Sequence, residues 1–214
     1  MVDSSSVLFK PLPGVLARTF DFQFGSRGLS IMHFRPMTQS EKISWKAEGG
    51  ANLNNFSATA EFEKATQPQS ISDLLDAVTS LLLFGREFYG QETQDIIKAM
   101  EKFVRTMSVT QRWTETELAI LTYWINDVLE DYRTRIWSSE ASAYAVIRRC
   151  SLDDELLRRL MHEMQLARLE RLEHAQSHLS DGARSSTTSL RRTDNSRQGL
   201  TRTAQKLLGS IPTR

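Results

Sequence analysis

His174 and His178 stand four residues apart, so one helical face would carry both imidazoles, and Glu170 one turn earlier would complete a three-ligand set of the type that holds zinc. The surrounding segment is saturated with charge. A solvated helix accounts for the spacing, since a closed metal site needs further ligands and outer partners that the pattern does not supply. No metal or other cofactor is expected. Cys150 precedes a helix start, where a thiolate is favoured, yet it has no designated base and reads as a buried or incidental thiol. His33 and His162 read as structural or exposed. The chain has no Gly-x-Ser-x-Gly elbow, no Gly-Lys-Ser/Thr phosphate loop and no His-Glu-x-x-His motif, so common hydrolase, nucleotide and zinc-protease chemistries lack sequence support. No catalytic residue is predicted.

Cationic contact with phosphate is the chemistry that remains. From Asp181 onward seven basic residues face two acidic ones, a tail of +5, which leaves −4 on residues 1–180 of a chain whose net charge is +1. Arg184, Arg191, Arg192, Arg197, Arg202 and Lys206 are the candidate nucleic-acid-binding residues: spread along a flexible arm, they would release counterions from RNA or DNA with little sequence preference. Mere solubilisation is the plainer reading of the same charges. The interspersed serines and threonines would serve as phosphorylation switches, each phosphate nearly cancelling two arginines. Gly25-Ser26-Arg27-Gly28 has the spacing of a loop that clamps nucleic acid in one class of RNA-binding domain, but that loop joins helices, and this stretch reads as a turn between strands.

A chain of 214 residues with one cysteine can form no intramolecular disulfide, which fits a reducing compartment. Met1-Val-Asp-Ser-Ser-Ser has neither the charge nor the apolar run of a secretory signal, and Leu81 to Phe84 is too short to span a bilayer. The expected setting is intracellular, cytoplasmic or nuclear, and no membrane association is expected.

The elements that must position these groups are predicted mainly α. Phe20, Phe22 and Phe24 alternate, Gly25–Gly28 offers a turn, and Leu29 to Phe34 can return, which reads as a small β-hairpin. Thr38 and Glu41 suit a capping box for a short helix ending before Gly49-Gly50, and 51–68 reads as a long connection. Leu74, Leu75, Val78, Leu81, Leu82 and Phe88 form one helical stripe. Ile96, Ile97, Met100, Phe103, Val104 and Met107 form the next, and the two helices should pair antiparallel. A third long helix starts at Thr114 and buries Leu118, Leu121, Ile125, Val128, Leu129, Tyr132 and Ile136, with Trp113, Trp124 and Trp137 as core residues around it. The fourth, from Leu152 to about Leu179, carries leucines within alternating charge, with Asp154 and Arg158 spaced for an i,i+4 pair. Past Asp181 the tail is predicted disordered, apart from a short amphipathic segment from Leu200 to Ile211.

The expected fold is therefore a multi-helix bundle with a small N-terminal hairpin and a disordered basic C-terminal tail. Its divisions are 1–69 (hairpin, short helix and connecting loop), 70–180 (bundle) and 181–214 (tail). This order of parts resembles the capsid region of retroelement Gag-like proteins. Ser70-Ile-Ser-Asp-Leu-Leu-Asp-Ala77 leading to Arg86-Glu-Phe-Tyr89, and Trp113-Thr-Glu-Thr-Glu-Leu118 leading to Tyr123-Trp-Ile-Asn126, carry the likeness. The resemblance implies self-assembly around nucleic acid. One cysteine leaves no Cys-Cys-His-Cys zinc knuckle, and Gln91 to Phe103 does not carry the family's major homology motif. Expected partners are a second copy of the chain, RNA or DNA through the tail, and a protein along the 152–179 helix. The alternative is an intracellular helical adaptor or scaffold that binds protein partners.

Overall fold

Helices begin where the sequence supplies caps. In the computed structural model, which describes residues 8–50, 63–110, 112–136 and 140–173, Thr38 Oγ1 accepts from the Glu41 N–H while the Glu41 carboxylate accepts from the Thr38 N–H at 2.7 Å. Ser70 with Asp73 and Thr114 with Glu117 repeat this reciprocal box. Each box satisfies two of the donors that the first helical turn leaves unpaired.

The chain divides into two units, Met1–His162 and Glu163–Arg214. The first contains α1 (Pro13–Phe20), α2 (Gln39–Ala47), α3 (Ile71–Phe88), α4 (Gln91–Thr110), α5 (Glu115–Ile136) and α6 (Glu140–Ile147), and closes with helical residues 155–162. The mainly helical expectation holds. Because only Tyr89 and Gly90 separate α3 from α4, the second helix must fold back along the first, and the two pack together. Helix α5 packs on α6 and on two 3₁₀ turns, Gly25–Arg27 and Ile31–Phe34, while α4 also meets α6. In the second unit, residues 163–173 are helical and leave Leu166, Leu169 and Leu172 exposed.

The predicted α4 stripe is buried at every position, as is that of α5 through Tyr132. Trp124 lies wholly inside, its ring 5.0 Å from that of Phe103. Trp113 is half-buried and donates from Nε1 to the Met107 carbonyl at 3.0 Å. Two positions leave their stripes: Phe88 is 39% exposed and Ile136 37%. Each is the last residue of its helix, where the final turn overhangs the core, and Phe84 fills the interior place that the spacing gave to Phe88.

The N-terminal hairpin is not formed. Residues from Pro13 to Phe20 are helical, with Pro13 at the first turn, where its missing N–H costs nothing. Phe20 is 56% exposed, whereas Phe22, in a left-handed conformation (φ 55°), and Phe24 are buried, so the alternating phenylalanines do not share a strand face. Instead of a cross-strand ladder there is one isolated parallel bridge, Phe24 to Leu29. Most backbone donors of the segment are paired within it, the Gly25 N–H with the Leu29 carbonyl at 2.9 Å and the Leu29 N–H with the Gln23 carbonyl at 3.1 Å, and α5 takes two more: Asn126 Oδ1 accepts from the Ile31 N–H at 2.8 Å and the Glu130 carboxylate from the Ser26 N–H at 3.0 Å. A Cβ at Gly25 would collide with that carboxylate, so the Gly25–Gly28 stretch is explained by close packing on α5. Helices α1 and α6 were not predicted: each is eight residues long, and α6 has almost no amphipathic pattern; α1 buries only Gly14, Val15 and Thr19.

The predicted basic tail, its segment from Leu200, the part of the 152–179 helix beyond 173, residues 51–62 of the predicted connection and Trp137 lie outside the described residues. Among the described residues no helix is long and apolar enough to cross a membrane.

Asn126 tests this account. Substitution to Leu strands the buried Ile31 N–H and should lower unfolding free energy by about 1–3 kcal/mol. Asn126→Asp keeps the acceptor and should lose less, measured as the shift in urea midpoint of the two variants.

Candidate functional site

Ser30 and His33 are reciprocal caps of the Ile31–Phe34 turn, an arrangement that fixes the imidazole at the mouth of a solvent-open cavity of about 280 Å³. Leu12 and Val15 from the α1 end, Met32, Met37 and Ala65 supply apolar lining, and Trp45 of α2 forms a wall. Around them stand Lys10, Arg35, Glu41, Glu48 and Glu63. Lys10 Nζ lies 2.8 and 2.9 Å from the two Glu63 carboxylate oxygens and 5.0 Å from the centre of the Trp45 ring. Arg35 pairs with Glu41, and Ser44 Oγ donates to Glu48 at 3.1 Å. The Thr38 N–H, followed by the Arg35 guanidinium, holds the Glu41 carboxyl below its usual range.

His33 Nδ1 accepts from the Ser30 N–H at 2.9 Å, which leaves Nε2 as the protonated nitrogen, donating to the Glu63 carbonyl at 3.1 Å. The neutral ring therefore joins the Ile31–Phe34 turn to the segment entering α3. Burial lowers its pKa below 6.5, with Arg18 adding to the effect and the carbonyls of Glu63 and Ser30 opposing it.

A second polar cluster joins α5 to the start of the last helix of the first unit. Asp154 Oδ1 accepts from the Leu157 N–H at 3.0 Å, as an N-cap, and from Trp124 Nε1 at 2.8 Å. Its other oxygen takes Arg149 Nε at 3.0 Å. Arg149 also reaches Asp131 at 3.0 Å and Asp127 at 2.8 Å, so one guanidinium bridges three carboxylates. The predicted Asp154–Arg158 pair is replaced, because the cap turns the carboxylate inward, where its side chain is only 7% exposed. Burial opposes ionisation of Asp154, but the Leu157 N–H, Arg149 and Trp124 together bring its pKa below the ordinary value. The Arg149 cation is held charged by the same three carboxylates. Next to it, burial pushes the half-buried Cys150 thiol up to about 12, which keeps it protonated and unreactive at neutral pH.

All six predicted nucleic-acid-binding residues, Arg184, Arg191, Arg192, Arg197, Arg202 and Lys206, lie outside the described residues, as do His174 and His178. Glu170 and His162 are exposed. Among the described residues no group of three or more His, Cys, Asp or Glu side chains is placed to hold a metal ion. The cavity was not legible in the sequence, since its walls come from three separated segments; the capping box at Thr38 was its one visible piece. Compared with family models, with curated proteins and with solved structures, the chain matches none of them.

Because the folded-state pKa of His33 is depressed, stability present above about pH 6.5 should fall as pH drops from there through the lower folded value. In His33→Gln, whose amide oxygen can still accept from Ser30, urea midpoints between pH 7 and 5 should vary less than in the wild type. Asp154→Ala removes a cap and strands the Trp124 and Arg149 donors. It should cost about 2–4 kcal/mol by the same denaturation measurement.

Proposed function

We propose that the chain is a non-enzymatic helical assembly protein, of the kind the Gag-like resemblance implies, which multimerises through apolar patches on its first unit. Its basic tail would make weak, nonspecific contact with nucleic acid through Arg184, Arg191, Arg192, Arg197, Arg202 and Lys206. The supporting observation is an aromatic cluster at the junction of the α1 and α3 ends. Phe20 and Phe88 are 56% and 39% exposed, with ring centres 5.7 Å apart, and Phe88 stacks on Phe84 at 4.4 Å. Aromatic faces left in water on an otherwise well-packed helical body favour burial against another surface, and a second copy supplies one at no cost in specificity. The charged groups at the cavity engage one another rather than converging on one point, which supports binding over catalysis. An intracellular setting, cytoplasmic or nuclear, belongs to this reading.

A second reading, an adaptor for protein partners, draws on the exposed Leu166, Leu169 and Leu172 of the 163–173 helix.

Light scattering on size-exclusion eluates, across protein concentration and salt with absorbance at 260 and 280 nm, separates the two. Assembly predicts mass that rises with concentration, falls to the monomer in Phe20→Ser/Phe88→Ser, and carries nucleic acid that is lost when the six basic residues become Gln. A wild-type monomer at every concentration, free of nucleic acid, would replace assembly with the adaptor.

A further inference from the structure

We propose that the cavity walled by Trp45 is a binding site for an uncharged aromatic group. The inference goes beyond self-assembly and stands independently of it. Three observations converge on that ligand chemistry.

The first is charge. Lys10 is closed on Glu63 and Arg35 on Glu41, so each of these rim charges already has its counter-ion. The remaining charged lining groups, Glu48 and Lys64, are of opposite sign. With its three cations and three anions balanced, the rim gives neither a carboxylate nor an ammonium a net electrostatic gain, while the apolar lining would strip water from either. An uncharged ligand leaves the rim intact. His33 does not alter this balance near neutral pH, since its ring is neutral with Nδ1 and Nε2 engaged by Ser30 and Glu63.

The second is the lining. Met32 and Met37 present unbranched, polarizable thioethers beside the Trp45 indole, a combination that favours an aromatic ring through sulfur–ring and ring–ring contacts and adapts to its outline. About 280 Å³ is ample, given that a protein cavity of about 150 Å³ accepts benzene.

The third is access. Helix α2 buries none of its residues, and its Ile43 is 62% exposed. It is followed by Gly49 and Gly50, both left-handed at φ 88° and 72°, a backbone that other residues rarely adopt. Its tethers to the body are the exposed Arg35–Glu41 pair and the Lys10 contact on Trp45, each of the weak, solvent-screened type. Moving α2 outward therefore disrupts no core, and returning it would close the indole over a bound ring.

Fluorine NMR of the full chain tests the site with four probes: fluorobenzene, N-acetyl-4-fluorophenylalanine amide, the matching acid without the amide, and the matching amide without the acetyl group. The uncharged probes should show saturable broadening, with dissociation constants at least tenfold below those of the anionic and cationic analogues. Tighter binding of the acetylated amide than of fluorobenzene would assign the source as a peptide side chain; equal binding would assign a free small aromatic. Trp45→Ala, which opens a wall, and Ala65→Phe, which fills the cavity, should each weaken the uncharged probes tenfold or more while circular dichroism and urea midpoint stay close to wild type. If one variant loses its fold, the other carries the comparison. No saturable binding, unchanged binding in the folded variants, or a charged analogue binding as tightly as its neutral counterpart would overturn the proposal. Repeating the titration in Phe20→Ser/Phe88→Ser separates it from assembly, since the site should bind equally in that background.

Discussion

Helix α5 carries its apolar stripe between two polar ladders, and α6 and the two 3₁₀ turns close on it. On one side Asn126, Glu130 and Arg133 recur at helical spacing and take, in order, the Ser30–Ile31 backbone and side chain, the Ser26 backbone and the Asp21 carbonyl. On the other side Trp124, Asp127 and Asp131 meet Asp154 and Arg149. The stripe between the ladders supplies apolar burial, which is non-directional; the ladders fix which segments may lie against it and in what register. A hydrophobic helix alone would tolerate sliding. One whose flanks answer specific backbone donors does not.

The same constraint explains the N-terminal region. Aromatic residues from Phe9 to Phe34 form a network of ring contacts extending to Phe84, Tyr89 and Tyr132. Such a segment needs its intervening backbone satisfied before it can be buried. Short turns satisfy most of that demand internally, and α5 accepts from the Ser26 and Ile31 N–H groups, so the chain packs on the helix as turns rather than pairing with itself as strands. Tyr89 extends the arrangement by donating to the Thr19 carbonyl at 2.8 Å, and its burial keeps the phenol protonated. The fully buried side-chain polar atoms among the described residues all have partners.

Both surfaces proposed for binding thus sit at the edges of the first unit rather than in its centre. The Phe20–Phe88 cluster and the Trp45 cavity both occupy places where a short helix, α1 or α2, adds little to the core. Short helices with small buried faces have low local stability and are the elements that can yield surface to a partner without unfolding the remainder. The Arg149–Asp154 cluster does the opposite work: it locks a helix start to α5, and its charges are consumed in that joint.

Periodicity and capping chemistry determined the long helices. Ser70, Thr114 and the stripes of α4 and α5 act through neighbours three and four residues away, so their structural consequences are contained in short stretches of sequence. The composition break that marks the tail was equally local, although its consequences fall outside the described residues. Tertiary structure alone decided the rest. The stretch of alternating phenylalanines became turns, with α5, about a hundred residues later, supplying the acceptors for the Ser26 and Ile31 N–H groups; Asp154 turned from Arg158 to Arg149 and Trp124 because burial rewarded the inward contact. The cavity arose where residues 10–15, 32–48 and 63–66 met. A pattern within one segment reports that segment's own preferences, whereas pairing across the chain depends on which polar groups burial brings within reach of each other.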